Sequence, residues 1–154
     1  MISLTKQVDL KEAENEAKEM TKSGKALEKL KEMVKAQGGD VSYIDDENKF
    51  GFDEYKTEIK AEKQGYISNI DAQKIGNICV ILGAGRNVKT DSIDSKAGIL
   101  LSCQKGDYIN SGDTVMTLYS NDENKLKQAK ELALNSFEIS DKKPACNDII
   151  LKQL

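Results

Sequence analysis

Apolar side chains recur at helical spacing over residues 9–37 and predict two consecutive helices. Asp9 stands where it can cap the first helix, Ser23-Gly24 interrupts the pattern, and Gly38-Gly39 ends it. The apolar positions are Leu10, Ala13, Ala17 and Met20 in the first helix, and Leu27, Leu30 and Val34, with Ala26 and Met33 at the edges, in the second. We therefore predict a helical hairpin over residues 1–39. Its second stripe needs cover from another surface, because full burial of a Leu or Val is worth about 1.5–3 kcal/mol.

The hydrophobic pattern changes twice after residue 39. Residues 40–56 are polar and acidic without a clear period, which indicates a linker. Its aromatic residues are expected to pin it to a neighbouring surface: Tyr43, Phe50, Phe52 and Tyr55. Residues 57–140 are rich in predicted strands and form a second domain, and residues 141–154 form a tail that contains the chain's one proline, Pro144.

The predicted strands of residues 57–140 are short and are separated by glycine-containing turns. They cover residues 57–63, 66–72, 98–103, 114–119 and 137–139. The run Ile75–Leu82 is apolar throughout, so its pattern fits a helix and a buried strand equally well. Gly-Asp occurs twice, six residues apart, in the turn segment 104–113. A helix capped by Asn121 or Asp122 is predicted to run to about Leu134.

Composition removes several classes of function. The chain has 154 residues, a net charge of −3 and no basic stripe, so nucleic acid is not an expected partner. The longest apolar run, Ile78–Leu82, is too short to cross a bilayer, and no secretory signal is visible, so we expect a cytoplasmic protein that does not bind membranes. Histidine is absent, which removes the commonest general acid–base residue. Cys79, Cys103 and Cys146 fit no zinc spacing or disulfide framework and are interpreted as buried, inert thiols.

The loop Gly83-Ala84-Gly85-Arg86 is the strongest candidate for a ligand contact. It lacks the third glycine of a dinucleotide fingerprint and the Gly-Lys-Ser/Thr of a P-loop, so a structural turn or a domain contact is favoured. A phosphate contact by Arg86 is the alternative. Lys89, Asp91 and Asp94 follow, and surface pairing or turn capping is favoured for them over acid–base catalysis.

The strand–turn–strand segment 98–120 has a second interpretation. It is similar to half of a biotinyl or lipoyl carrier domain, in which a lysine is displayed at the tip of a hairpin. Lys74 is the nearest candidate for modification, but it lacks the neighbours that those motifs require.

Four motifs in series resemble a known family across roughly residues 2–140. They are SGKALEKLKEMVKAQGGD at 23–40, GYISNIDAQKIG at 65–76, LGAGR at 82–86 followed by KTDSID at 89–94, and GILLSCQKGDYINSGD at 98–113. Their order and spacing are similar to those of the pyrimidine-nucleoside phosphorylases and thymidine phosphorylases.

The resemblance implies a fold and a reaction. It implies pentosyltransferases that use phosphate to cleave uridine, thymidine or deoxyuridine into a free base and a pentose 1-phosphate. The implied parent is a homodimer without a cofactor or catalytic metal, whose active site lies between a helical domain and a larger α/β domain. Together with the pattern, it predicts an α+β fold: an N-terminal helical hairpin, which ends the family's α/β domain, and a mainly antiparallel α/β-hammerhead module, barrel-sandwich-like, with a flanking helix.

The family's catalytic motifs do not occur in this chain. The glycine- and serine-rich phosphate loop, the lysine-histidine-serine segment and the base-binding residues all lie upstream in the family. The resemblance thus implies an excised or truncated C-terminal piece, inactive alone, with no catalytic, substrate-binding or metal-binding residue. Its partner would be the missing N-terminal part, and the candidate contacts during domain closure are Gly83, Gly85, Arg86 and Lys89. Self-association through Leu27, Leu30 and Val34, or docking of these helices on the barrel, would cover the exposed stripe. A stand-alone interaction module is a further alternative.

Overall fold

The computed structural model describes residues 1–145 and divides the chain into two units, Met1–Phe50 and the residues from Gly51 onwards. The boundary lies inside the segment 40–56 that the sequence predicts as a linker. Cys146, one of the predicted inert thiols, and most of the predicted tail lie outside the described residues.

The first unit is helical. The predicted helices are confirmed as α2 and α3, and Asp9 caps α2 by accepting a 2.9 Å hydrogen bond from the Glu12 N–H. The helices are α1 (Ile2–Lys6), α2 (Leu10–Lys22), α3 (Lys25–Ala36), α4 (Ser42–Asp45) and a 3-10 helix (Glu47–Phe50). The last two lie in the predicted linker, where Asp40 and Asp46 each accept a hydrogen bond from a backbone N–H two residues on, which favours local turns.

The first unit buries little apolar surface. Ala13 is its buried hydrophobic residue, whereas Leu27, Leu30 and Met33 of α3 are 46%, 41% and 52% exposed. Val34 is half-buried. An ion pair of 2.6 Å between Lys31 and Asp45 joins α3 to α4. The apolar stripe that the sequence predicts is therefore present, and part of it faces solvent.

The second unit contains two three-stranded antiparallel sheets, so the predicted α+β class is confirmed. One sheet has the order β1-β5-β3 and the other β4-β2-β6, and they do not close into a barrel. The strands are β1 (Tyr55–Lys60), β2 (Gly65–Ile70), β3 (Gly98–Leu101), β4 (Tyr108–Ile109), β5 (Thr114–Ser120) and β6 (Phe137–Ser140), and the helices are α5 (Ala72–Leu82) and α6 (Glu123–Leu134).

The run Ile75–Leu82, which the pattern left open, is helical and lies in α5. Asp71 caps this helix by accepting a 3.0 Å hydrogen bond from the Lys74 N–H, so β2 ends at Ile70 and Ala72 belongs to the helix. The predicted helix after Asp122 is confirmed as α6. One cluster of buried side chains joins both helices to both sheets: Ile59, Ala61, Ile67, Ile78, Leu82, Ile109, Val115, Met116, Leu118, Leu126, Ala129 and Ala133.

The two Gly-Asp sequences form matching turns. Asp107 accepts a hydrogen bond from the Gln104 N–H, and Asp113 accepts one from the Asn110 N–H, at 2.9 and 2.7 Å. The first turn exchanges two backbone hydrogen bonds with Ile67, and the second exchanges two with Ala61. The first turn is therefore held against β2 and the second against the residue that follows β1, and β4 lies between the two turns.

Candidate functional site

The candidate loop begins at the C-terminus of α5, where Gly83 adopts a left-handed conformation with φ 113°. The Gly83 N–H donates to Val80 O at 3.1 Å, and the Ala84 N–H donates to Cys79 O at 2.9 Å. This pair of bonds is the Schellman arrangement, which satisfies the last carbonyls of a helix and usually requires glycine. The first glycine of the motif thus serves to end α5 and to fix the direction of the loop.

The surroundings of Gly85 leave little room for a side chain, whereas those of Gly83 allow an ordinary contact. A Cβ atom on Gly83 would lie 3.4 Å from Nζ of Lys125 in α6. A Cβ atom on Gly85 would lie 2.7 Å from Cγ2 of Val80, which is shorter than a normal contact. Gly85 therefore allows the loop to pack closely on α5, Gly83 supplies the left-handed turn, and both support the structural-turn interpretation.

The acidic residues of the loop hold its backbone. Asp91 Oδ2 accepts hydrogen bonds from the N–H groups of Asn87 and Val88 at 3.0 and 3.1 Å. Asp94 accepts from the Lys96 N–H at 3.0 Å and from Nδ2 of Asn121 at 2.7 Å. These contacts confirm turn capping for Asp91 and Asp94, and the two carboxylates are engaged with different donors.

Two further hydrogen bonds tie the loop to the body of the unit. The Asp94 N–H donates to Gly83 O at 2.9 Å, which brings the two ends of the loop together. The buried hydroxyl of Ser120, at the end of β5, donates to Leu82 O at 2.8 Å. The loop is thus anchored to α5, to β5 and to the start of α6.

The structure separates the four candidate contact residues into two pairs. Gly83 and Gly85 line an open pocket of about 380 Å³, together with Val80, Ile81, Asn87, Asp91, Ser92, Lys125 and Gln128. Arg86 and Lys89 are exposed on the same loop. Arg86 and Lys89 are therefore exposed to solvent on a loop whose ends are joined by the hydrogen bond from Asp94 to Gly83.

Asp53 is a residue of this region that the sequence analysis did not single out. Its Oδ2 atom is buried and has no hydrogen-bond partner within the described chain. Burial raises its pKa above the ordinary value, and the neighbouring charge of Asp94 adds to this effect. No local sequence pattern marks Asp53, because the charged groups that affect it, Asp94, Lys96 and Lys125, are distant in the sequence.

The structure also places two of the cysteines and the lysine that the sequence analysis considered. The free thiols Cys79 and Cys103 are half-buried, so the prediction that they are buried holds only in part. This partial burial still raises their pKa values, which supports their interpretation as inert. Lys74 lies in the first turn of α5, not at a hairpin tip, and its Nζ donates to Asn135 O at 2.9 Å.

Residues 1–145 contain no group of three or more Cys, Asp or Glu residues placed to hold a metal ion. No helix among them is long and apolar enough to cross a membrane.

Comparison with known proteins identifies the second unit. Residues 66–140 match the family model for the pyrimidine nucleoside phosphorylase C-terminal domain. The match includes α5, the candidate loop, both Gly-Asp turns and α6.

The similarity to individual relatives covers more of the chain than the match to this family model does. The chain is 43% identical to the pyrimidine-nucleoside phosphorylase of Bacillus subtilis over 125 residues, which are 80% of this chain and 29% of the relative. It is 36% identical to that of Geobacillus stearothermophilus over 131 residues, 85% of this chain and 30% of the relative. The chain thus spans less than a third of the length of these relatives. The chain belongs to the pyrimidine-nucleoside phosphorylase family and corresponds to the C-terminal part of those proteins.

Proposed function

We propose that this chain serves as the C-terminal part of a phosphorylase that transfers pentosyl groups. The parent enzyme would use phosphate to cleave uridine, thymidine or deoxyuridine into a base and a pentose 1-phosphate. One observation carries this proposal: the chain aligns over most of its own length, at 43% identity, with a protein named pyrimidine-nucleoside phosphorylase.

The proposed role is to frame the cleft and to support its closure. Gly83 and Gly85 would fix the loop, and Arg86 and Lys89 would contact the catalytic part when the cleft closes. Closure of this kind excludes water and brings two substrates together, which lowers the entropic cost of the reaction. Two features support this role: the hydrogen bonds at both ends of the loop, and the exposure of its two cationic side chains.

The missing N-terminal part is the proposed partner, and α2 and α3 would pack against it. In its absence, a second copy of the chain would cover the stripe of Leu27, Leu30 and Val34, and the parent enzyme would be a homodimer. The exposure of Leu27 and Leu30 supports this contact, since exposed apolar patches mark interaction surfaces.

The chain alone is expected to be inactive, because the family's phosphate-binding and base-binding motifs do not occur in it. The test is release of uracil or thymine from uridine or thymidine in the presence of phosphate. The purified chain should give the rate of the enzyme-free control. Release near the rate of a complete relative would contradict the proposal.

Complementation tests the closure role. The N-terminal remainder of the Bacillus subtilis relative, mixed with this chain, should regain phosphorolysis. The double variant Arg86→Ala/Lys89→Ala should lower the regained rate by on the order of tenfold or more, because small misplacements of reacting groups cost up to about 100-fold. The control is Lys127→Ala, which removes an exposed lysine of α6. Equal regained rates for the double variant and the unaltered chain would contradict the closure role.

A further inference from the structure

The strand β3 lies at one edge of the sheet β1-β5-β3 and pairs on one side only, with β5. The Ser102 N–H, just after β3, donates to Val115 O of β5 at 2.9 Å. Along an antiparallel pair, the backbone groups of successive residues point alternately toward and away from the partner strand. The N–H and C=O groups of Ile99 and Leu101 therefore point away from β5. Within the described part of the chain, no hydrogen bond from another element reaches them.

The side chains of β3 leave apolar surface at this open edge. Successive side chains of a strand point to opposite faces of the sheet. Ile99 packs against the buried cluster of the second unit, so Leu100 points to the other face, where it is 51% exposed. Leu101 is the last residue of the strand and is 43% exposed. The edge thus combines free backbone groups with two exposed leucines.

The other edge strands of the second unit are protected in ways that β3 is not. The strand β1 carries charges at Lys56, Glu58 and Lys60, and α6 packs beside it. The strand β6 carries Glu138, and β4 is only two residues long. Charged side chains, a covering helix and short length are common ways in which proteins keep strand edges from pairing. The uncharged β3 is therefore the edge of this unit best suited to pairing with another strand.

We propose that β3 is a pairing surface for β3 of a second copy of this chain, so that two sheets join edge to edge in antiparallel orientation. One register satisfies all the free backbone groups. In it, Ile99 pairs with Leu101 of the second copy and Leu101 pairs with Ile99 of that copy, and each pair exchanges both of its hydrogen bonds. Leu100 then lies opposite its own counterpart, and the two side chains cover each other.

The charges along this edge fit a second copy. Lys96 is the one charged residue of the segment 96–104, and in this register it lies opposite the neutral Gln104 of the second copy. Like charges directly opposite each other destabilise a strand pair, and none are brought together here. The arrangement has a two-fold axis, as most interfaces between identical chains do. It uses the second unit alone and is separate from the stripe on α3.

Disulfide cross-linking of the whole chain tests the register. Opposed residues that exchange no hydrogen bonds have Cα atoms about 4.5 Å apart, which a disulfide can span. Leu100→Cys, in a chain that also carries Cys146→Ser, should form a linked dimer under mild oxidation. Its rate should exceed that of the control by about tenfold or more, because pairing raises the effective concentration of the two thiols.

The matched control for cross-linking is Val88→Cys in the same background. Val88 is 57% exposed and lies on the loop after α5, outside the proposed surface. The half-buried Cys79 and Cys103 are present in both chains, so their contribution cancels. Equal rates of cross-linking for the two chains would overturn the proposal.

Charge substitution tests whether the partner is a second copy. Sedimentation equilibrium uses chains that carry Leu30→Glu, so that the stripe on α3 contributes little to association. Leu100→Lys should weaken self-association by about tenfold or more, because like charges then lie opposite each other. Leu100→Glu should do the same, whereas an equal mixture of the two variants should recover association.

Val88→Lys is the control for the charge substitutions and should leave association unchanged. Absence of self-association in the chain with Leu100, or no recovery in the mixture, would overturn the proposal and leave the edge to a different partner. Neither measurement uses phosphorolysis, so failure of this pairing and failure of the proposed function are distinguished.

Discussion

Gly65 is a residue of the second unit whose surroundings leave no room for a side chain. It is buried at the start of β2 with φ 148°, in a region that side chains rarely adopt. A Cβ atom there would lie 2.7 Å from Cγ2 of Ile139 and 2.8 Å from the carbonyl oxygen of Ser140. The backbone oxygen cannot move without disturbing the pairing of β2 with β6.

Gly65→Ala is therefore expected to lower the free energy of unfolding by roughly 2–4 kcal/mol, from backbone strain together with overpacking. The measurement is the midpoint of urea unfolding, with the nuclear magnetic resonance signals of β2 and β6 as the probe of the transition. Gly76→Ala is the matched control. Gly76 is exposed inside α5 with open space at its Cβ position, so alanine should raise stability by roughly 0.5–1 kcal/mol. Equal midpoints for the two variants would contradict this account.

Single residues were predictable from the sequence where their partners are close in the chain. Asp9 and Asp122 cap helices through N–H groups two or three residues on, and Asp91 caps its own loop. Asp53 could not be predicted in the same way, because Asp94 is far away in sequence and only the folded chain brings the two together.

At the scale of elements, the sequence predicted those whose hydrophobic period is clear. The helices α2, α3 and α6 and the strand β5 agree with their predicted ranges to within a few residues. The run in α5 was ambiguous because this helix is apolar on most of its faces, so period 3.6 does not stand out. The two short helices of the predicted linker depend on hydrogen bonds to the side chains of Asp40 and Asp46. Such helices are too short to show a hydrophobic period in the sequence, so the pattern did not predict them.

The exposed stripe of α3 leads to a prediction at this scale. Leu30→Glu should weaken self-association of the chain by about ten- to a hundredfold, because burial of one Leu is worth about 1.5–3 kcal/mol. Sedimentation equilibrium measures the change. Leu132→Glu is the control, since Leu132 of α6 is 43% exposed, against 41% for Leu30, and lies outside the stripe. A chain that stays monomeric at high concentration, or variants that associate equally, would count against this contact.

At the scale of the whole molecule, the two units differ in how much they bury. The second unit contains the cluster around Ile59, Ile67 and Leu118, whereas the first has one buried hydrophobic residue, Ala13. Short isolated helices are marginally stable in water unless an apolar face is packed. Stability is therefore concentrated in the residues after Phe50.

Residues 51–154, produced alone, should give a dispersed amide spectrum like that of the same residues in the whole chain. Residues 1–50 alone should give a narrow spectrum typical of unfolded peptide, because their helices bury too little apolar surface to offset the loss of chain entropy. Nuclear magnetic resonance of the two pieces makes the comparison. A dispersed spectrum for residues 1–50, or a collapsed one for residues 51–154, would show that the core is distributed differently.

The matching Gly-Asp turns have a consequence for how this protein can change its length. Each turn is held by two backbone hydrogen bonds, the first turn to Ile67 of β2 and the second to Ala61, and β4 spans the distance between the turns. An inserted or deleted residue in β4 would shift one turn relative to the other and break half of these bonds. Length variation is therefore easier to accommodate in the exposed stretch around Lys89 than between the two turns.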